Sequence, residues 1–328
     1  MNTHEADQQA AHQALRITQP RFYPSPMGGK DKQPRAVIRA LKRHPVPAYF
    51  VLVYALSWAC WIPAAIAGTW LSFPSIVFVM AGLAMPGLVG IVLTALLTGK
   101  AGLAGLFGRL RLVRVPLRWY AVVLLLIPAL FLAAAGLPAL LGLATITFPL
   151  SGFAVLGAVL SAVLEEPGWR GFALPRMQAR RPAFTASVLL GALWATWHLP
   201  LRVAKGDMPL TAAGLAVFLY TVVLITAWAV LFTWVYNNTG GSLFLMILLH
   251  VVADIAVAAI RPGNWIGAAL LLLFTWATVA LVVVRAGPAR LSRSDGPAPG
   301  PGRRPDRRHI GQNPAQPATG GRTITTRP

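Results

Sequence analysis

Leu164-Glu165-Glu166-Pro167-Gly168-Trp169-Arg170-Gly171 closes a run, Gly152 to Leu164, in which every other residue is apolar or small. Two adjacent carboxylates at the end of such a run are costly. At mid-bilayer, a carboxylate costs roughly 2.5–3.5 kcal/mol on insertion scales. A chain keeps such a pair where it faces a protein interior or a water-filled cavity. Two later places match it in kind. Trp194-Ala195-Thr196-Trp197-His198 puts a histidine inside an apolar segment, and His250-Val251-Val252-Ala253-Asp254 puts a histidine and a carboxylate inside another. The reading is that these three places meet inside a membrane and cut peptide bonds.

Composition supports the membrane setting. The 328 residues are 56% hydrophobic and only 12% charged, where soluble domains carry about 25% charged residues. This indicates a multi-pass membrane protein. The net charge of +20 lies mainly in the two ends of the chain and in short loops. That distribution reads as topology and lipid headgroups, and with no accompanying binding motif it argues against nucleic acid. The single cysteine, Cys60, excludes an internal disulfide and any cysteine-rich metal site.

About eight apolar segments approach the ~20 residues a crossing needs. They are Val46–Trp70, Pro74–Leu97, Trp119–Leu140, Gly152–Leu164, Phe184–Leu201, Thr211–Tyr236, Ser242–Ile260 and Trp265–Val284. The fourth reaches spanning length only if Glu165–Leu174 continues it. Leu141–Leu150 reads as a loop or a re-entrant piece. Residues 1–45 form a basic, disordered tail, in which Arg35–Arg43 is a short amphipathic stretch suited to anionic headgroups. Residues 46–285 form the transmembrane domain, and residues 286–328 a second disordered tail rich in Pro, Gly and Arg.

Charge asymmetry gives an orientation. Lys100, Arg109, Arg111, Arg114 and Arg118 lie between the second and third segments. Arg176, Arg180 and Arg181 follow the fourth, and Arg285, Arg290 and Arg293 follow the eighth. With eight crossings these regions share one side, while the other carries only Arg202, Lys205 and Arg261. The positive-inside rule then puts both termini in the cytoplasm. The expected setting is a bacterial plasma membrane.

Only Glu165, Glu166, Asp207 and Asp254 are acidic between Val46 and Val284. Asp207 falls in a loop. Glu166 and Arg170 are i and i+4 and can pair on one helical face, while Glu165 points about 100° away. Arg170 then neutralises Glu166 and leaves Glu165 for chemistry. Pro167 removes a backbone donor and, with Gly168, predicts a kink. His198 is four residues after Trp194, and Asp254 four after His250.

The chemistry that fits is water activation. Glu165 takes a proton from water, and His198 assists or protonates the leaving amine. His250 and Asp254 stabilise an oxyanion or hold the scissile carbonyl. Asp254 donates a hydrogen bond only when protonated. The bland alternative is that each group makes a buried interhelical hydrogen bond; five such groups in three segments argue against it. A zinc site built from Glu165, His198 and His250 is a second reading, although no His-Glu-x-x-His helix occurs.

These residues resemble a known family. Glu165-Glu166-Pro167-Gly168-Trp169-Arg170 resembles its Glu-Glu-x-x-x-Arg motif. Trp194 to His198 resembles its Phe-x-x-x-His motif, with Trp in place of Phe, and His250 to Asp254 resembles its His-x-x-x-Asn/Asp motif. The family is the CAAX-protease and bacteriocin-processing (Abi) family of intramembrane proteases, and the motif region covers about residues 150–260. The resemblance implies an all-α membrane fold of eight helices, with a catalytic cavity open to the cytoplasmic side or the membrane. It implies Glu165 as general base, His198 as its partner on the water, and His250 and Asp254 as the oxyanion site. Glu166 and Arg170 would be structural, and Trp194 would support the site. It implies a glutamate-dependent endopeptidase needing no metal, with a zinc-dependent version as the alternative. The expected partners are membrane lipids and a membrane-associated protein or peptide, prenylated or otherwise. A multi-pass transporter and a non-catalytic bacteriocin-immunity protein are the competing functions.

Overall fold

The computed structural model describes residues 39, 41–261 and 263–292, and within them the chain is helical throughout. In order the helices are α1 (Pro45–Ala67), α2 (Ser75–Gly108), α3 (Leu117–Leu140), α4 (Gly152–Gly168), α5 (Leu174–Gln178), α6 (Ala183–Trp197), α7 (Leu199–Lys205), α8 (Ala212–Asn238), α9 (Leu243–Ala259) and α10 (Trp265–Ala286). In hydrocarbon every backbone polar group must be satisfied within the segment, and helices do this. Six segments are long and apolar enough to cross a membrane: Pro45–Ala67, Ser75–Arg111, Leu117–Leu140, Ala183–Lys205, Ala212–Asn238 and Trp265–Ala286. The protein is therefore an all-α, multi-pass membrane protein.

The remaining two of the eight expected segments are helical but differ in kind. Helix α9 has 17 residues and is shorter than the rest. The fourth segment is compound. Helix α4 runs into a π-helical turn, Trp169–Ala173, and then α5, so its helical path reaches Gln178. Pro167 lies inside α4, and its missing donor is where the regular ladder gives way. The fifth segment also breaks. His198 ends α6 and precedes α7, which has Pro200 in its first turn. Leu141–Leu150 is an irregular loop, tied at Thr147 to Arg261 by an isolated antiparallel bridge.

Caps set the register. The Ser151 side chain accepts from the Ala154 N–H at the start of α4. Thr211, Ser242 and Asn264 do the same for α8, α9 and α10, each satisfying an orphan donor. Most of the expected tails, including most of the Arg35–Arg43 stretch, lies outside the described residues. The ordered fold nevertheless continues past α10. Pro288 and Ala289 accept from the Phe184 and Ala183 N–H groups, and Asn237 Nδ2 donates to the Arg290 carbonyl at 2.7 Å.

The site is positioned by α4 packing against α2 and α9, and by α6 packing against α8. The approach of α2 to α4 depends on two glycines. A Cβ at Gly87 would fall on the Leu164 carbonyl oxygen, and one at Gly168 on the Pro86 carbonyl. Small residues let membrane helices come this close, and here they flank Glu165 and Glu166.

Candidate active site

Glu165 lies midway along the Gly152–Gln178 path and is 1% exposed. Its Oε2 accepts two indole N–H groups: Trp169 Nε1 at 3.0 Å, one turn on, and Trp194 Nε1 at 2.8 Å, from α6. Among the described residues Oε1 takes no hydrogen bond, so it keeps its lone pairs.

The same tryptophan orders the histidine. His198 Nδ1 lies 2.9 Å from the Trp194 carbonyl oxygen. A carbonyl can only accept, so Nδ1 carries the proton, and the neutral ring presents the Nε2 lone pair. The end of α6 is itself clamped by α1. Trp58 Nε1 donates to the Trp197 carbonyl at 3.0 Å, and the Tyr54 and Thr196 hydroxyls are 2.6 Å apart. The Trp197 ring packs edge-on against the His198 ring, centroids 4.6 Å apart.

Glu166 faces the other way, as the expected angular offset requires. Its Oε1 accepts from Arg170 Nη1 at 2.6 Å and pairs with His250 Nδ1 at 2.8 Å. All three groups are buried. The expected pairing of Glu166 with Arg170 is present, and His250 joins it. The Arg170 guanidinium also lies between two rings, 4.4 Å from the Trp194 centroid and 4.5 Å from that of Phe232. Ring faces attract such a cation.

His250 was expected to lean on Asp254. Its Nε2 is 3.7 Å from Asp254 Oδ2, too long for a hydrogen bond. The shorter partner of Asp254 is Ser161, whose Oγ is 2.7 Å from Oδ2. Ser161 Oγ also reaches the Ala158 carbonyl at 3.1 Å, so one hydroxyl proton serves two acceptors. The Asp254 side chain is 35% exposed, in contrast to the carboxylates behind it.

The structure therefore links Glu165 to His198 through Trp194, and Glu166, Arg170, His250 and Asp254 in a second chain. Trp169, Ser161 and Phe232 belong to the site and were not read from the sequence. Trp169 was open to discovery, since it sits four residues after Glu165 on a helical path. Ser161 and Phe232 carry no local signal. Among the described residues no group of three or more His, Cys, Asp or Glu side chains is arranged to hold a metal ion. His198 and His250 each commit Nδ1 to a protein acceptor. Glu165, His198 and His250 thus do not fit the zinc alternative as a ligand set.

Residues 146–256 match the family model described as Type II CAAX prenyl endopeptidase Rce1-like. That stretch contains every site residue named above except Phe232's partners outside it; Glu165, Glu166, Arg170, Trp194, His198, His250 and Asp254 all fall within it. The chain is also similar to CAAX prenyl protease 2 of Methanococcus maripaludis, 26% identical over 225 residues, which cover 63% of this chain and 82% of that protein.

Proposed function

From the premise that this chain belongs to the CAAX-protease and bacteriocin-processing family and is a peptidase, we propose that it hydrolyses a peptide bond within the membrane, using a water activated by Glu165 and His198. The substrate is a membrane-associated protein or peptide, prenylated or otherwise. The setting is a bacterial plasma membrane, with both termini cytoplasmic and lipid around the bundle.

The observation that carries the reading is the double use of Trp194, which donates to Glu165 and accepts from His198. With Oε2 held by two indoles, Glu165 Oε1 is the atom left to take a water proton. The hydroxide oxygen attacks the scissile carbonyl carbon. The C–N bond then breaks, and the proton passes by way of His198 Nε2 to the leaving amine. The oxygen that gains charge is met by His250, which donates from Nε2 when both ring nitrogens are protonated, with Glu166 against its Nδ1. Asp254, beside that nitrogen, holds the carbonyl when it carries a proton. No step runs through a metal.

The test is cleavage of a farnesylated peptide ending in a Cys-aliphatic-aliphatic-X sequence by the protein in liposomes. Native protein should release the tripeptide, while Glu165→Ala and His198→Ala should insert normally and release none. Proton- or ion-gradient-driven flux that survives His198→Ala, without cleavage, would favour a transporter instead.

A further inference from the structure

The site is not enclosed evenly, and its open end can be assigned to one face of the bundle. Three elements run from the arginine-rich loops toward it. Helix α9 starts at Ser242, whose Oγ donates to the Leu112 carbonyl in the loop that carries Arg109, Arg111 and Arg114. Helix α6 starts at Ala183, hydrogen-bonded to Ala289 beside Arg290. The α4 path ends at Gln178, just before Arg180 and Arg181. At these ends the packing is closed. Trp169, Phe172, Leu174, Leu190, Leu245, Met246 and Leu249 are fully buried.

The opposite ends are open. Phe153, Leu156, Val159, Leu160 and Val163, on the first half of α4, are exposed, whereas its second half is surrounded. Ser161, Asp254 and His198 are partly exposed. Each lies about one turn beyond the buried groups, toward the face formed by the Leu141–Leu150 loop, Asp207 and Arg261. That face also carries Arg202 and Lys205, whose charges act on His198.

Two expectations from the sequence therefore cannot both hold. If the arginine-rich loops are cytoplasmic, the cavity does not open to the cytoplasm. Resting on the protease reading of the site, we propose that substrate enters from the non-cytoplasmic half of the membrane, over Ser161, Asp254 and His198. The substrate class is then a polypeptide segment presented at, or embedded in, the outer leaflet. A cytoplasmic C-terminus would not reach the site.

Single-cysteine variants in a Cys60→Ser background test this with a membrane-impermeant maleimide. Ser161→Cys reports the mouth, Asp207→Cys the exposed loop on its face, and Arg180→Cys the opposite loop. In intact cells Ser161→Cys and Asp207→Cys should label at least tenfold faster than Arg180→Cys, and the order should reverse in inverted vesicles. Labelling of Asp207→Cys only in inverted vesicles overturns the proposal, and it does so even if Ser161→Cys fails to fold. Labelling of an inserted Ser161→Cys from the Arg180 side, or from neither side, overturns it too. Labelling does not depend on turnover, so persistence of cleavage in Glu165→Gln would sink the protease reading and leave this result untouched.

Discussion

Trp194 Nε1 donates to Glu165 Oε2 at 2.8 Å across 29 positions of sequence, and joins α6 to the centre of the α4 path. With Trp169 it gives a buried carboxylate two donors on one oxygen. A hydrogen bond to a charged group contributes about 1.5–3 kcal/mol.

Trp194→Phe should therefore lower the cleavage rate by roughly ten- to a hundredfold, with Trp169 still in place. The Trp169→Phe/Trp194→Phe double variant should lose more than the sum of the two, because the last donor goes with it. Initial rates in liposomes, normalised to inserted protein, decide this. Additive losses would mean that the indoles act separately.

Asp254 lies within reach of His250 Nε2 but is held by Ser161. Asp254→Asn keeps an acceptor for Ser161 and supplies a permanent donor, so it should retain cleavage within about tenfold. Asp254→Ala should lose roughly 10²–10³-fold, the range for removing one oxyanion donor. If the Asn variant were as dead as the Ala variant, the carbonyl-holding role would fail.

Glu166 faces two cationic partners in a buried setting. Glu166→Ala strips the charge partner from Arg170 and should destabilise the fold by about 3–5 kcal/mol. Arg170→Lys should not substitute, since a compact ammonium cannot stack between Trp194 and Phe232 while reaching Glu166. Thermal unfolding in detergent, followed by tryptophan fluorescence, reads both.

Gly87→Ala would drive a Cβ into the Leu164 carbonyl beside the carboxylates. It should cost about 1–3 kcal/mol, as overpacking does, and reduce cleavage. Gly108→Ala is the control, because a Cβ there meets nothing within 4 Å. Equal melting temperatures for the two would remove the close α2–α4 approach from the account.

Much of this arrangement was legible. The apolar runs gave the helices, and the i,i+4 rule gave the Glu166–Arg170 pair. Charged groups in lipid are costly enough to mark themselves, which is why Glu165, His198, His250 and Asp254 stood out. The same local rule misled at His250. It offered Asp254 four residues on, but the nearer partner is Glu166, 84 positions away, and nothing in a single helix encodes that. Ser161 was hidden for the same reason. The break at His198 and the π turn after Pro167 follow from prolines, whose position predicts a disturbance but not its geometry. The entry face was hidden too, because helices apolar all round do not say which side meets lipid.

The central claim is that Glu165 activates the water that cuts the substrate. Its most direct measurement is quantitative proteomics of protein termini in membranes from cells carrying native or Glu165→Gln protein at equal levels. The account predicts termini that appear with native protein and vanish with Glu165→Gln, the intact precursors accumulating in their place. Identical termini in the two membranes would contradict it.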